Sequence, residues 1–474
     1  MALGFSRKVG LPFILVALAI AAAIALPRVY RTALLGSGIA AQILCAGVFV
    51  SGRDPQSVLA EDLTGKGYEL LSYFQHELDR DGERVSASTY GLARQTAIYR
   101  QGLGCTLLDG KSEAELRSEN PTVFLSLSSL NPEILWPEGE QVALGTLPDG
   151  VDGAALAEAI EAVFAEPDPA HPRRTRALVV VYGGRIVAER YAEGFNAAMP
   201  LIGWSMSKSA VNAFVGLRVG DGKLALTDSA LMPEWQGKDD PRRDITLDQL
   251  MRMTSGLAFD ESYGGTQSDV VQMLFVKGDK AAFAVHQPLA YPPGTHWAYS
   301  SGTTTIISAI LRRSFANEED YFGYPLERLF GPLGMRSAVL EPDASGTFAA
   351  SSFLYASARD FARLGLLFLR DGVWEGTRIL PEGWVAYSRK ATGLSPGGEY
   401  GAHVWLKLPE SSASGKLKMP DDAYFMLGHD QQVIAVVPSR DLVIVRLGLT
   451  REDGDWDSTR ELAPIVDAFP LRAE

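Results

Sequence analysis

The chain has 474 residues, with 44 Lys+Arg against 57 Asp+Glu, a formal charge of −13, and 46% hydrophobic, 9% aromatic and 21% charged residues. These values exclude wholesale disorder and leave room for one large domain with a smaller segment beside it. The acidic balance argues against nucleic acid as a partner, because phosphate binding needs a basic surface.

The charge is uneven along the chain. Residues 1–31 carry Arg7, Lys8, Arg28 and Arg31 and no acid. Arg7 and Lys8 precede an uncharged apolar run from Leu11 to Leu26. That run is shorter than the roughly 20 residues a membrane span needs and suits the apolar region of a secretory signal. Ala23-Ile24-Ala25 offers an Ala-x-Ala cleavage signature, with Pro27 close behind it. Residues 1–31 therefore read as a signal peptide or an uncleaved N-terminal membrane anchor. Either places the body outside the cytoplasm, in a periplasm or its equivalent, free or held to the inner membrane. A second run, Ala33–Val50, contains Gly36, Ser37, Gly38, Gln42 and Gly47 and is too polar and glycine-rich to read as a second span.

The only two cysteines are Cys45 and Cys105. In an exported chain an isolated pair is expected as a disulfide. It would close a loop of about 60 residues, worth roughly 4 kcal/mol on a chain-entropy basis. The six histidines, at 76, 171, 286, 296, 403 and 429, show no His-x-x-x-His spacing, and no metal site or cofactor is implied.

Residues 55–76 read as one helix, because Val58, Leu59, Leu63, Tyr68, Leu71 and Phe74 recur at helical spacing. Residues 84–100 alternate like strands around Tyr90-Gly91. Residues 110–175 read as a long connection with one helix near 153–165. From Arg176 the pattern changes to a hairpin, 177–182 and 185–191 about Gly183-Gly184. A second hairpin spans 433–437 and 442–447. Between the hairpins the chain reads as helical, with segments at 205–220, 247–253, 303–315 and 358–370, and a last helix at 459–469. Two sheet-forming ends around a helical middle predict an α/β domain, an antiparallel sheet flanked by helices with an inserted helical lobe.

Chemistry concentrates in three places. Ser205-Met206-Ser207-Lys208 is the only Ser-x-x-Lys in the chain. Residues three apart on a helix share a face, so Lys208 can reach Ser205. A serine at a helix N-terminus also exposes its own N–H to a carbonyl oxygen, and burial favours a neutral lysine able to act as a base. Tyr299-Ser300-Ser301-Gly302 comes next, and a tyrosine beside a lysine cation is expected to have its phenol pKa lowered. Third is Gly428-His429-Asp430-Gln431-Gln432, which leads into the C-terminal hairpin and is placed to supply an oxyanion N–H near Gln432. A Ser-His-Asp arrangement would need a Gly-x-Ser-x-Gly elbow, which the chain lacks.

The order Ser-x-x-Lys, Tyr-x-Ser, then a histidine-bearing strand resembles the serine β-lactamase and penicillin-binding-protein-like hydrolases. The closest branch is the class C-like one, with its esterases and 6-aminohexanoate-dimer hydrolases. The phrases 245–257, 291–294 and 357–360 resemble the same branch, and the likeness covers roughly 176–470. The division it implies is a signal or anchor at 1–31, an N-terminal extension at 32–170 and a β-lactamase-like hydrolase domain at 171–474. It implies an acyl-enzyme on Ser205, with Lys208 and Tyr299 moving the proton and Gln432, His429 and Ser301 around oxyanion and substrate. No cofactor is implied. Ser301 stands where β-lactamases carry Asn, His429 where they carry Lys, and Gln431 where they carry Gly. Those departures favour a small ester or linear amide substrate over a β-lactam or D,D-peptide. The competing reading is an inactive, membrane-anchored binding module.

Overall fold

The apolar strands predicted at the two ends of the second half of the chain meet in one sheet. The computed structural model describes residues 10–120, 130–143, 145–409 and 412–472, without the side chains of 10–22, 24 and 412; Arg7 and Lys8 lie outside the described residues. In chain order the framing elements are α1 (Gly10–Cys45), α2 (Pro55–Glu61), β1 (Gln75–Asp79), β2 (Arg84–Thr89), β3 (Leu92–Arg100), β4 (Gly104–Leu107), α3 (Gly153–Phe164), β5 (Thr175–Tyr182), β6 (Arg185–Tyr191), α4 (Ser207–Gly220), α5 (Asp269–Val276), α6 (Ser301–Arg313), α7 (Ala358–Leu369), β7 (Tyr424–Gly428), β8 (Gln432–Val437), β9 (Leu442–Gly448) and α8 (Ser458–Asp467).

The main sheet runs β7-β8-β9-β5-β6, each pair antiparallel. Its strands read as unbroken apolar runs because both faces are covered. Leu178, Val180, Val433, Ala435, Leu442 and Ile444 pack with Leu156 and Val163 of α3 and Leu462 and Ile465 of α8. The alternate residues, Val179, Val181, Ile434, Val436, Val443 and Val445, face α7 and the inserted lobe. The β5–β6 turn is Gly183-Gly184, both at positive φ, as a tight two-residue hairpin requires. The lobe carrying α4, α5 and α6 lies in sequence between β6 and β7.

The N-terminal region departs most from expectation. The two apolar runs, 11–26 and 33–50, belong to a single helix that continues through Pro27. Its second half is a core helix, with Leu35, Ala40, Ala41, Leu44 and Cys45 all buried. Ala25–Val50 has the length and a mean hydropathy of 2.0 suited to crossing a membrane, yet 61% of its most apolar stretch is buried inside the protein. The glycines that make this run unlike a span let it pack closely: a Cβ on Gly38 would collide with the Phe275 carbonyl of α5. The meander β1-β2-β3-β4 forms a second sheet against α1. Cys45 and Cys105 form a disulfide that joins α1 to β4. Beside it, Gln42 Nε2 donates to Glu341 Oε2 (2.7 Å) and Cys105 N–H donates to Glu341 Oε1 (2.6 Å). The part of the segment 32–170 from α1 to β4 is thus packed into the rest of the protein.

The helix predicted over 55–76 stops at Glu61. Gly65 and Gly67 sit at positive φ and break it, and the apolar residues beyond enter a 3-10 turn (Glu69–Tyr73) and β1. Helical spacing across two glycines was a false period.

Candidate active site

Ser205 lies in a single 3-10 turn, Trp204–Met206, that runs directly into α4. Trp204 is at φ 47°, a conformation costly for a bulky residue. Packing holds it there. Ser207 Oγ donates to the Trp204 carbonyl (2.5 Å), Gly203 N–H donates to the Leu354 carbonyl (2.8 Å), and Trp204 is 3% exposed. Phe361 Cζ would lie 2.6 Å from a Cβ on Gly203, so no side chain fits there.

Lys208 is 1% exposed, and its Nζ has three partners: Ser205 Oγ at 2.8 Å, Ser301 Oγ at 3.0 Å and the Ser351 carbonyl at 3.1 Å. An ammonium has three N–H groups, so the charged form is satisfied. The neutral amine keeps two N–H groups and one lone pair, and that lone pair needs a donor. The Ser351 carbonyl cannot donate. The Ser301 hydroxyl proton is already given to Glu261 Oε1 at 2.5 Å. Of the three partners, Ser205 is the one left to donate, so neutral Lys208 is aimed at the Ser205 hydroxyl. Burial lowers the Lys208 pKa to about 8, against the opposing pull of the Glu261 carboxylate.

Glu261 is the residue that sequence reasoning missed. Its carboxylate accepts from both Ser301 N–H (2.7 Å) and Ser301 Oγ. Burial pushes its pKa up and Lys208 pulls it down. A glutamate in the loop Asp260-Glu261-Ser262 carries no local sign that it turns inward. Glu261→Gln keeps an acceptor for Ser301 and removes the charge that favours the ammonium. The acid limb of any Lys208-dependent activity is therefore expected to move to lower pH, and a kcat/KM–pH profile of both proteins checks it. An unmoved limb would count against a Glu261–Lys208 coupling.

Tyr299 packs over Lys208, with Nζ 4.9 Å from the ring centroid, and Ser205 and Trp405 lie near its hydroxyl. The expectation of a lowered phenol pKa is reversed. Burial raises it, and the nearby Glu261 carboxylate raises it further. A neutral phenol is a donor, so Tyr299 suits proton relay rather than proton abstraction.

Ser301, placed at the substrate by the resemblance, is 0% exposed and bonds Lys208 and Glu261. Gln432 pairs with Gly428 across the β7–β8 hairpin, and its side chain is tied to the Gly448 carbonyl (2.7 Å) and N–H (2.9 Å). On β7 the N–H and C=O of Phe425 point outward to Trp405. Alternation then turns Gly428 toward Gln432 and leaves the Leu427 N–H on the open edge. That edge passes the Ser205 turn so closely that a Cβ on Gly428 would collide with the Gly203 carbonyl. His429 stacks on Tyr263 (4.2 Å between centroids) and packs edge-on to Trp204 (5.4 Å). Burial lowers its pKa and favours the neutral ring. Gln431 stands at φ 63° and Asp430 at φ 56°, a turn steadied by the paired Asp430–Arg451 contacts at 3.0 and 2.8 Å. Among the described residues no cluster of three or more His, Cys, Asp or Glu could hold a metal ion.

Comparison with known proteins adds the family. The family model described as Beta-lactamase matches residues 160–463. A 6-aminohexanoate-dimer hydrolase of Paenarthrobacter ureafaciens is 27% identical over 300 residues, covering 58% of this chain and 72% of the relative. A penicillin-binding protein homolog from Caulobacter crescentus superposes with a TM-score of 0.51 at 15% identity, covering 69% of this chain and 99% of that one. A family VIII carboxylesterase gives the same TM-score of 0.51 and identity of 15%, with coverage of 69% and 98%. These superpositions show a shared fold.

Proposed function

Because the chain belongs to the beta-lactamase family, a family of hydrolases, we propose that it is a serine hydrolase that cleaves small esters or linear amides through an acyl-enzyme on Ser205. The observation that carries the reading is the Lys208 environment, in which the neutral amine can accept only from Ser205. Lys208 takes the hydroxyl proton as Ser205 Oγ bonds to the carbonyl carbon and its π electrons move to oxygen. The Ser205 N–H and the Leu427 N–H on the open edge of β7 hold that oxyanion. Collapse expels the leaving group, which takes a proton relayed from Lys208 through Tyr299. Water then enters by the same route in reverse, releases the acid and restores Ser205.

A β-lactam or D,D-peptide carboxylate calls for a cation at the strand end. His429 occupies that place as a ring whose burial disfavours the charge, so esters and linear amides fit better. The apolar N-terminal part of α1 is read as the export signal or anchor. Cleavage after Ala25 would leave the buried half of the helix in place.

Exposure to a fluorophosphonate tests the nucleophile. One covalent adduct by intact mass on the wild type, absent from Ser205→Ala, is the expected result. A folded wild type that takes no adduct would favour the binding-module reading.

A further inference from the structure

We propose that a cavity beside the Ser205 cleft, walled by the buried half of α1, takes an aliphatic acyl chain, so that alkyl-chain esters or amides are the substrate class. This rests on the serine-hydrolase reading of Ser205. The cavity has a volume of about 390 Å³, and its floor is Leu35, Ile39, Val271 and Phe275. Leu35, Val271 and Phe275 are 4%, 6% and 2% exposed, so this apolar surface is already out of bulk water. Trp204, Tyr263 and His429 also line the cavity and pack on one another. Trp204 precedes the nucleophile, and Tyr263 neighbours Ser301 and Tyr299.

Polar groups share the lining, and Asp430, Thr450 and Arg451 are themselves buried. Lys66 is exposed, and the Arg451 guanidinium is taken up by Asp430 at 3.0 and 2.8 Å. The four apolar side chains give an alkyl chain a surface to cover, and the one buried cation of the lining, Arg451, is already neutralised by Asp430.

The floor also has a direction. Leu35 and Ile39 are four apart on α1 and share a face. Arg31 and Arg28 extend that stripe toward the N-terminus, and both are exposed. Beside them Leu26, Val29 and Tyr30 are 66%, 64% and 53% exposed. From Arg31 to Leu35 is about 6 Å along the helix. The cavity therefore begins about one helical turn from an exposed stretch that mixes apolar and cationic side chains, the surface along which an amphiphile would approach.

The test compares Ser205 labelling rates for a methyl and a decyl fluorophosphonate on the full chain in lipid nanodiscs, read by intact mass. The decyl reagent is expected to label the wild type about 100-fold faster, from burial of several methylenes. Ile39→Trp fills the floor, and Thr266→Trp crowds the exposed rim without touching the core. Each is expected to cut the decyl-to-methyl ratio about tenfold, by displacing part of that buried chain. A ratio that is the same in the wild type and both variants overturns the acyl pocket while leaving Ser205 as the nucleophile. Labelling of the wild type by neither reagent overturns the Ser205 reading, and this proposal with it.

Discussion

Lys208→Ala is expected to lower kcat/KM for an activated ester about 10³-fold at pH 8.5, within the range general-base groups contribute. The size of the loss follows from the lack of a substitute. Tyr299 cannot abstract the proton, because burial and Glu261 both hold its phenol neutral. His403, the buried histidine near Lys208, has its pKa lowered to about 3 by burial, and its Nε2 lies 3.3 Å from Thr304 Oγ1. Lys208→Arg is expected to do no better than Ala, since a guanidinium stays protonated throughout the working range. In the wild type the base must be neutral. Activity is therefore present above a pH of about 8 and falls as Lys208 takes a proton on the acid side. Turnover by Lys208→Ala within about tenfold of wild type would remove the lysine from the base role.

Replacing both Cys45 and Cys105 by Ser is expected to cost about 4 kcal/mol, because the bridge closes a sequence separation of 60 residues. For a protein of this size that corresponds to a melting temperature lower by about 4 °C. The bridge has structural company. It anchors the buried end of α1 beside β4, where Gln42, the Cys105 N–H and Glu341 are already joined. Leu35 and Ile39 of the cavity floor belong to the same helix, so loosening the bridge should be felt at the cavity as well as in the melt. Thermal unfolding of the double variant against the oxidised wild type measures the effect. A shift of about 1 °C or less would show that packing alone holds α1.

Several features were legible because they depend on neighbours in the chain. The Ser205–Lys208 spacing needs only a helix beginning at that point. The two hairpins of the main sheet are marked by Gly183-Gly184 and by Pro438–Asp441, between runs apolar enough to be covered on both faces. The cysteine pair was legible because no other cysteine competes for either partner. Local pattern misled where it was followed too far, as in the helix predicted through Gly65 and Gly67. It also misled where composition stood in for packing: the glycines of 36–47 mark a helix seated against its neighbours.

What the sequence by itself determined is a serine with a lysine one helical turn away, and the α/β architecture that presents the pair. Only the tertiary structure decided the state of those groups. Lys208 reaches Ser301 across 93 residues, and Ser301 reaches Glu261 across 40. Burial of that trio then turns the lysine lone pair toward Ser205. Which β7 N–H lies on the open edge was decided by ladder alternation, and the cavity lining by an N-terminal helix folding back on the lobe. Each is set by contacts between segments distant in the chain, and hydrogen-bond direction and desolvation arise only once those segments meet.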